Sequence, residues 1–457
     1  MVIDKVLAHL ERNRQQHLDQ LCDFLRIPSI SSQSEHKPDI LRAANFVADE
    51  LRHFGLEVEL IERGGNPLVY AQTEIDPRRK TLLFYGHYDV QPVDPLELWK
   101  NPPFEPRVEN GIVYARGSSD DKGQLYAHVK AVEAFLRSGE PLPVNVKFII
   151  EGEEECGGHS IYEYTEQNPQ RLACDAVVIS DTTLYNETTP GLCYSLKGLT
   201  FMEIRVTGPA FDLHSGSFGG IVQNPGNAIC EIVAKLKDRA GRCLVPGFYD
   251  DVLDLDADER TAFASLDYTD EILMQETGAI AAFGEKGYTS LERMWARPTC
   301  DVNGLVSGYS GEGAKTIIPA EAVAKVSMRL VPNQKPEKIA AAFAKYVQQI
   351  CPPGVRLEIK NLHNANPVLV PRESGMMQAG MRALEMGFGA KAVFIREGGS
   401  IPIVGTFQAS LKAPVLLLGY GLSTDNTHAP NEKFHLENFY RGARTTVHLM
   451  YEAARTE

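Results

Sequence analysis

Four apolar runs in this chain end in groups that bind cations or move protons. TLLFYG ends at His87-Tyr88-Asp89, and VNVKFII runs into Glu153-Glu154-Glu155. AVVIS ends at Asp181, and APVLLLG leads nine residues later to His428. Between the first two, YARGSSDDKG sets Asp120 and Asp121 just before a helical pattern. In open α/β sheets, ligands bind beyond the carboxyl ends of the strands. Imidazole mixed with carboxylate suits zinc, and also manganese or cobalt. Five or six such ligands are too many for one ion. They fit two cations that share a bridging carboxylate, a pair able to activate water. Cations also make the glutamate run tolerable, because bare neighbouring carboxylates repel one another.

Each signal alone has an ordinary explanation. An Asp before a helix is usually a cap, which would account for Asp121 or Ser119. A glutamate run is usually a solvated loop, and a lone His after a strand is usually structural. A solvated loop does not explain why all these groups sit at the same kind of strand end. The roles within the glutamate run stay open at this point: in an extended segment Glu153 and Glu155 share a side and Glu154 faces away. Two decoys fall. GYSGEGAKT (308–316) lacks the glycine-lysine pair of a phosphate loop, since Ala314 separates Gly313 from Lys315. Cys156 has no base placed for it as a nucleophile.

The runs that carry these groups are short and barely alternate, as central strands covered on both faces do. Helical patterns lie between them, as in QLYAHVKAVEAFLRSG with Leu125, Val129, Val132 and Leu136 on one face, and residues 1–26 form one amphipathic helix. The fold class is therefore α/β: a mostly parallel sheet with helices on both faces. From about Leu199 the strands alternate cleanly. In AVAKVSMRLVP, Val326, Met328 and Leu330 face one way and Lys325, Ser327 and Arg329 the other. Residues 199–365 are expected to be a smaller two-layer α+β domain inserted into the first, which comprises 1–198 and 366–457. Two domains also suit 457 residues. A formal charge of −14 argues against a nucleic-acid or anionic-membrane partner. Eight scattered cysteines without a CxxC pair point to a reducing cytoplasm rather than a disulfide framework.

GHYDVQP, YARGSSDDKG, EGEEECG, DLHSG, REGGSIP and THAPNEK, in that order, resemble the M20 metallopeptidase family, nearest its cytosolic non-specific dipeptidase and carnosinase branch. The resemblance implies a catalytic domain interrupted by a lid that dimerises. It implies two divalent metals, zinc first and manganese or cobalt also suited. His87 and Asp181 would hold one, Glu155 and His428 the other, and Asp120 would bridge them. Asp89 would orient His87, and Glu154 would be the general base. His214 in DLHSG would donate to the oxyanion from the partner subunit's lid. Arg329 would fork the substrate's C-terminal carboxylate, and Thr316, His363, Gly399 and Ser400 match substrate-contact positions. A cis peptide is expected after Asp120. The expected activity is hydrolysis of dipeptides or short peptides. The competing expectations are N-acyl amino-acid deacylation by the same centre and, from another class, a non-catalytic binding protein.

Overall fold

The strands Thr81–His87, Asn145–Glu151 and Ala176–Ile179 lie in the middle of the larger sheet and are buried along almost their whole length. A computed structural model gives this architecture for residues 2–456. The chain divides into two compact units. One is Met1–Tyr194 with Val370–Ile395 and Thr406–Glu457; the other is Ser195–Leu369 with Arg396–Gly405.

In the first unit the strands run Glu57–Ile61, Leu68–Gln72, Asn145–Glu151, Thr81–His87, Ala176–Ile179, Val415–Leu417, Gly191–Leu196 across the sheet. The four central strands are parallel. The flanking pairs are antiparallel, so the sheet is mixed rather than mostly parallel. The short connection between Ile61 and Leu68 dictates this at one edge, since it is too brief for a crossover. Register sets the site: His87 pairs with Glu151, Tyr85 with Ile179, and Leu417 with Ile179. The carboxyl ends of four parallel strands therefore lie along one edge.

Helices flank this sheet. Lys37–His53 packs on Leu68–Gln72, Lys122–Ser138 on Thr81–His87, and Gly375–Phe388 on Val415–Leu417. The helix Lys122–Ser138 is buried all round from Lys122 to Phe135, rather than along one stripe, and stops at Gly139 in the left-handed region. Other helices pack against it, notably Leu436–Ala453, Val2–Arg12 and Arg14–Leu25. The last two replace the single helix expected over 1–26. The break falls at Asn13, whose side-chain amide donates to the His9 carbonyl at 2.8 Å.

The second unit has an antiparallel sheet in the order Asp301–Ser307, Glu321–Leu330, Gly198–Thr207, Arg356–Ala365. Met202, Ile204, Val326, Met328 and Leu330 point to one face, where Ile229 and Ile232 of one helix and Ile339, Phe343 and Val347 of another cover them. Arg396–Gly405 groups with this unit, although the sequence reading places all of 366–457 in the first domain. Ser400 holds it there, accepting from Arg329 and donating to the Lys197 carbonyl. Among the described residues no helix is long and apolar enough to cross a membrane.

Candidate metal centre

His87 is the last residue of its strand, and its side chain is fully buried. Its Nδ1 donates to the Asp89 main-chain carbonyl at 3.0 Å. This leaves Nε2 facing Asp120 Oδ1 at 3.1 Å. Asp89 also brings its carboxylate to 3.4 Å from His87 Nδ1, while its Oδ2 accepts from the Glu155 backbone N–H at 3.1 Å. One residue thus fixes both the ring of His87 and the start of the glutamate turn. Asp89 Oδ1 is buried and, among the described residues, has no hydrogen-bond partner.

Asp120 lies between two imidazoles. Its Oδ1 faces His87, and its Oδ2 lies 2.9 Å from His428 Nε2. His428 Nε2 is also 3.2 Å from Glu155 Oε2. Two groups of donor atoms result, each within 4.8 Å: His87, Asp120 and Asp181; and Asp120, Glu155 and His428. The peptide bond Asp120–Asp121 is cis. Asp121 stands at the N-cap position but makes no side-chain cap; its Oδ2 accepts from the His87 backbone N–H at 3.2 Å. The ordinary cap explanation of Asp121 therefore fails.

The glutamate run leaves strand geometry after Glu151, and Glu154–Cys156 form a single 3-10 turn. This separates the three carboxylates. Glu155 turns to His428. Glu153 turns away, accepting from Asn66 N at 2.9 Å and Ser160 N at 3.3 Å. It braces two loops, and Gly158 must be glycine beside it: a Cβ there would fall 2.3 Å from Glu153 Cβ. Glu154 is pushed up to about 7, first by burial and then by the Glu155 and Asp120 charges against the opposing pull of His87. Burial and the Asp120 charge also push Asp181 well up. Hydrogen bonds to Asp120 and then Glu155 raise His428 to about 10.

These shifts describe a pocket with more negative charge than its imidazoles can balance. The donor set fits two divalent cations, with Asp120 offering one oxygen to each group. A third cluster, His9, His17 and Glu133, has no such vacancy of charge, because Lys130 Nζ lies 2.9 Å from Glu133 Oε2.

Four neighbours have no role assigned to them from the sequence alone. Gln91 Nε2 donates to Glu155 Oε2 at 2.7 Å. Tyr85 donates to Glu151 Oε1 at 2.7 Å, and burial pushes that carboxyl to about 8. Glu432 lies fully buried behind Asp120. Gln91 falls inside the quoted GHYDVQP and Glu432 inside THAPNEK, which was their only visible mark.

The remaining candidates belong to the second unit. Arg329 Nη1 donates to Ser400 Oγ at 3.0 Å, and no carboxylate of the described residues pairs with it. The Gly399 carbonyl accepts from Lys197 N at 3.1 Å, so Arg329, Gly399 and Ser400 gather in one place. His214 is exposed. Its Nδ1 accepts from Gly216 N at 3.1 Å and Ser217 N at 3.2 Å, which leaves the proton on Nε2. The Thr316 carbonyl accepts from Ser215 N at 3.1 Å, beside His214. His363 is exposed on Arg356–Ala365 and, among the described residues, bonds to neither group.

Residues 83–452 match the family described as Peptidase family M20/M25/M40. A Cys-Gly metallodipeptidase of Schizosaccharomyces pombe is 33% identical over 470 residues, covering 99% of each chain. The beta-Ala-His dipeptidase of Homo sapiens is 28% identical over 472 residues, covering 99% of this chain and 93% of that protein. Among solved structures, an M20 family metallo-carboxypeptidase from Sulfolobus solfataricus superposes with a TM-score of 0.86 at 35% identity, covering 96% of this chain and 99% of the other. Human carnosine dipeptidase 1 gives 0.87 at 28% identity, covering 100% and 99%.

Proposed function

The chain belongs to the M20/M25/M40 peptidase family, and from that premise we propose that it is a two-metal dipeptidase. The observation that carries this reading is Asp120, whose two carboxylate oxygens face two different histidines in two ligand groups. Divalent cations there, zinc first and manganese or cobalt also suited, supply Lewis acidity that activates water and polarises a carbonyl.

The chain's residues do the rest. His87 and Asp181 would hold one cation and Glu155 and His428 the other, with Asp120 belonging to both ligand groups. Asp89 keeps the His87 ring turned so that Nε2 faces the centre. Glu154 removes a proton from the attacking water and returns it to the departing amine, which leaves poorly unprotonated. His214, protonated on Nε2, donates to the oxygen of the tetrahedral species. Arg329, steered by Ser400 and paired with no carboxylate of the described residues, forks the substrate's terminal carboxylate. Thr316, His363 and Gly399 complete the substrate contacts.

The second unit is also the proposed dimerising module. Its edge strand Asp301–Ser307 exposes Val302, Leu305 and Val306, as an edge awaiting cover does. All eight cysteines are thiols, which suits a reducing cytoplasm.

A panel assay tests the reading. Metal-stripped protein is resupplied with zinc, manganese or cobalt and given Cys-Gly, β-Ala-His, longer peptides and N-acetyl amino acids. Dipeptides with a free terminal carboxylate should be cleaved, and their amides should resist. Fully metallated protein that cleaves no dipeptide would sink the proposal. The similarity to a metallo-carboxypeptidase supports a second reading, removal of the last residue from longer peptides, and the same panel separates the two.

A further inference from the structure

Two short strands, Ile112–Tyr114 and Lys433–His435, pair antiparallel with Lys433 opposite Tyr114. The first continues into the segment 115–120, which ends at Asp120. The second is entered from the loop that carries His428. Glu432 stands at that junction with its side chain fully buried. Its Oε1 accepts from the backbone N–H of Ser119 at 2.9 Å and of Asp120 at 3.1 Å. Its Oε2 accepts from Gly117 N at 2.9 Å and from Arg116 Nη1 at 2.7 Å. Two carboxylate oxygens offer about four acceptor sites, and all are used. A second tie runs beside it: Asp425 Oδ2 accepts from Ser119 Oγ at 3.1 Å and from Leu422 N at 2.7 Å.

We propose that Glu432 is a positioning residue of the metal centre, its carboxylate setting the Asp120 backbone against the His428 loop before any cation enters. Resting on the two-metal reading, this adds what fixes the spacing of the shared ligand. A buried carboxylate placed so close to Asp120 adds negative charge where there is already too much. An apolar filler there would leave Arg116 and three backbone N–H groups unpaired. Those N–H groups belong to Gly117, Ser119 and Asp120, the last being the one residue that both ligand groups share. Arg116 offsets the added charge and is itself held, donating to the Pro92 carbonyl at 3.0 Å and lying over the Trp99 ring at 5.3 Å.

The test compares cobalt(II) uptake by metal-stripped wild type, Glu432→Gln and Glu432→Asp. It follows the visible ligand-field bands, with circular dichroism as the check on folding. Gln keeps one accepting oxygen but turns an amide against two of the donors. The expected result is native circular dichroism, a cobalt dissociation constant raised about 10- to 100-fold, and altered band intensities from a displaced Asp120. A folded Glu432→Gln protein with wild-type affinity and wild-type bands would overturn the inference. If Glu432→Gln fails to fold, Glu432→Asp decides, because it keeps the charge beside Arg116 and shortens the carboxylate's reach to the Ser119 and Asp120 N–H groups. A weakened affinity and shifted bands then support the inference; wild-type values refute it. Wild-type protein that takes up no cobalt would refute the metal centre and this inference with it, an outcome distinct from a variant that binds as the parent does.

Discussion

His128 makes the fold sensitive to acid in a way that can be isolated. The ring is fully buried in the helix after Asp120. The Thr446 hydroxyl donates to the Gly442 carbonyl at 3.0 Å, so it accepts from His128 Nδ1 at 2.8 Å. His128 Nε2 then accepts from the Ser180 hydroxyl at 2.7 Å. The neutral ring is satisfied at both ends, and burial lowers its pKa to about 3. In the unfolded chain the value returns to about 6.5. Below that pH the unfolded state binds a proton that the native state refuses, so stability falls as pH falls and is fully present above pH 6.5. One such group costs about 1.4 kcal/mol per pH unit inside the window, or about 2–3 kcal/mol between pH 8 and pH 4.5. His128→Gln keeps a donor and an acceptor but cannot titrate. Urea unfolding of metal-stripped wild type and variant, across that pH range, is the assay. The stability advantage of wild type should shrink by about 2–3 kcal/mol on acidification. A gap that stays constant within about 0.5 kcal/mol would refute the reasoning.

Other expectations concern the site. Glu154→Gln should retain cobalt binding and lose about 10²–10⁴-fold in kcat; loss of a metal instead would show that Glu154 is a ligand. Arg329→Met should raise KM for dipeptides about 10- to 150-fold, the equivalent of one charge-assisted hydrogen bond of roughly 1.5–3 kcal/mol, and leave cobalt uptake alone. An unchanged KM would remove Arg329 from substrate binding. Mixing His214→Ala with Glu154→Gln subunits should restore activity if sites are shared between subunits, and no recovery in verified heterodimers would count against sharing.

The ends of the central strands were readable because apolar runs without alternation mark buried strands, and the residues just beyond such strands must emerge at one edge. His87, Glu155, Asp181 and His428 come from such ends, and the structure brings them around Asp120. The outer pairings were not readable: direction at a sheet edge depends on connections and partners, not on a strand's own residues. Glu432 was hidden for a related reason. Its work is done on backbone N–H groups more than three hundred positions away, and backbone donors leave no trace in residue types. The glutamate run lay between these cases. Alternation would pair Glu153 with Glu155, whereas the 3-10 turn gives Glu155 to the centre and Glu153 to a brace between loops. Asn13 shows the limit of periodicity, which carries a helix straight through a residue whose side chain interrupts it.

The second unit interrupts the first between Asp181 and His428, and that order has a consequence in time. On the ribosome His87, Asp120, Glu155 and Asp181 emerge early, with one imidazole among three carboxylates. Synthesis at roughly 5–20 residues per second leaves them without His428 for about 12–50 s. On the proposed two-metal reading, the nascent chain can offer a cation only an unfinished set of ligands throughout that interval. Complete loading of the centre would therefore wait until the segment carrying His428 has been made and folded back.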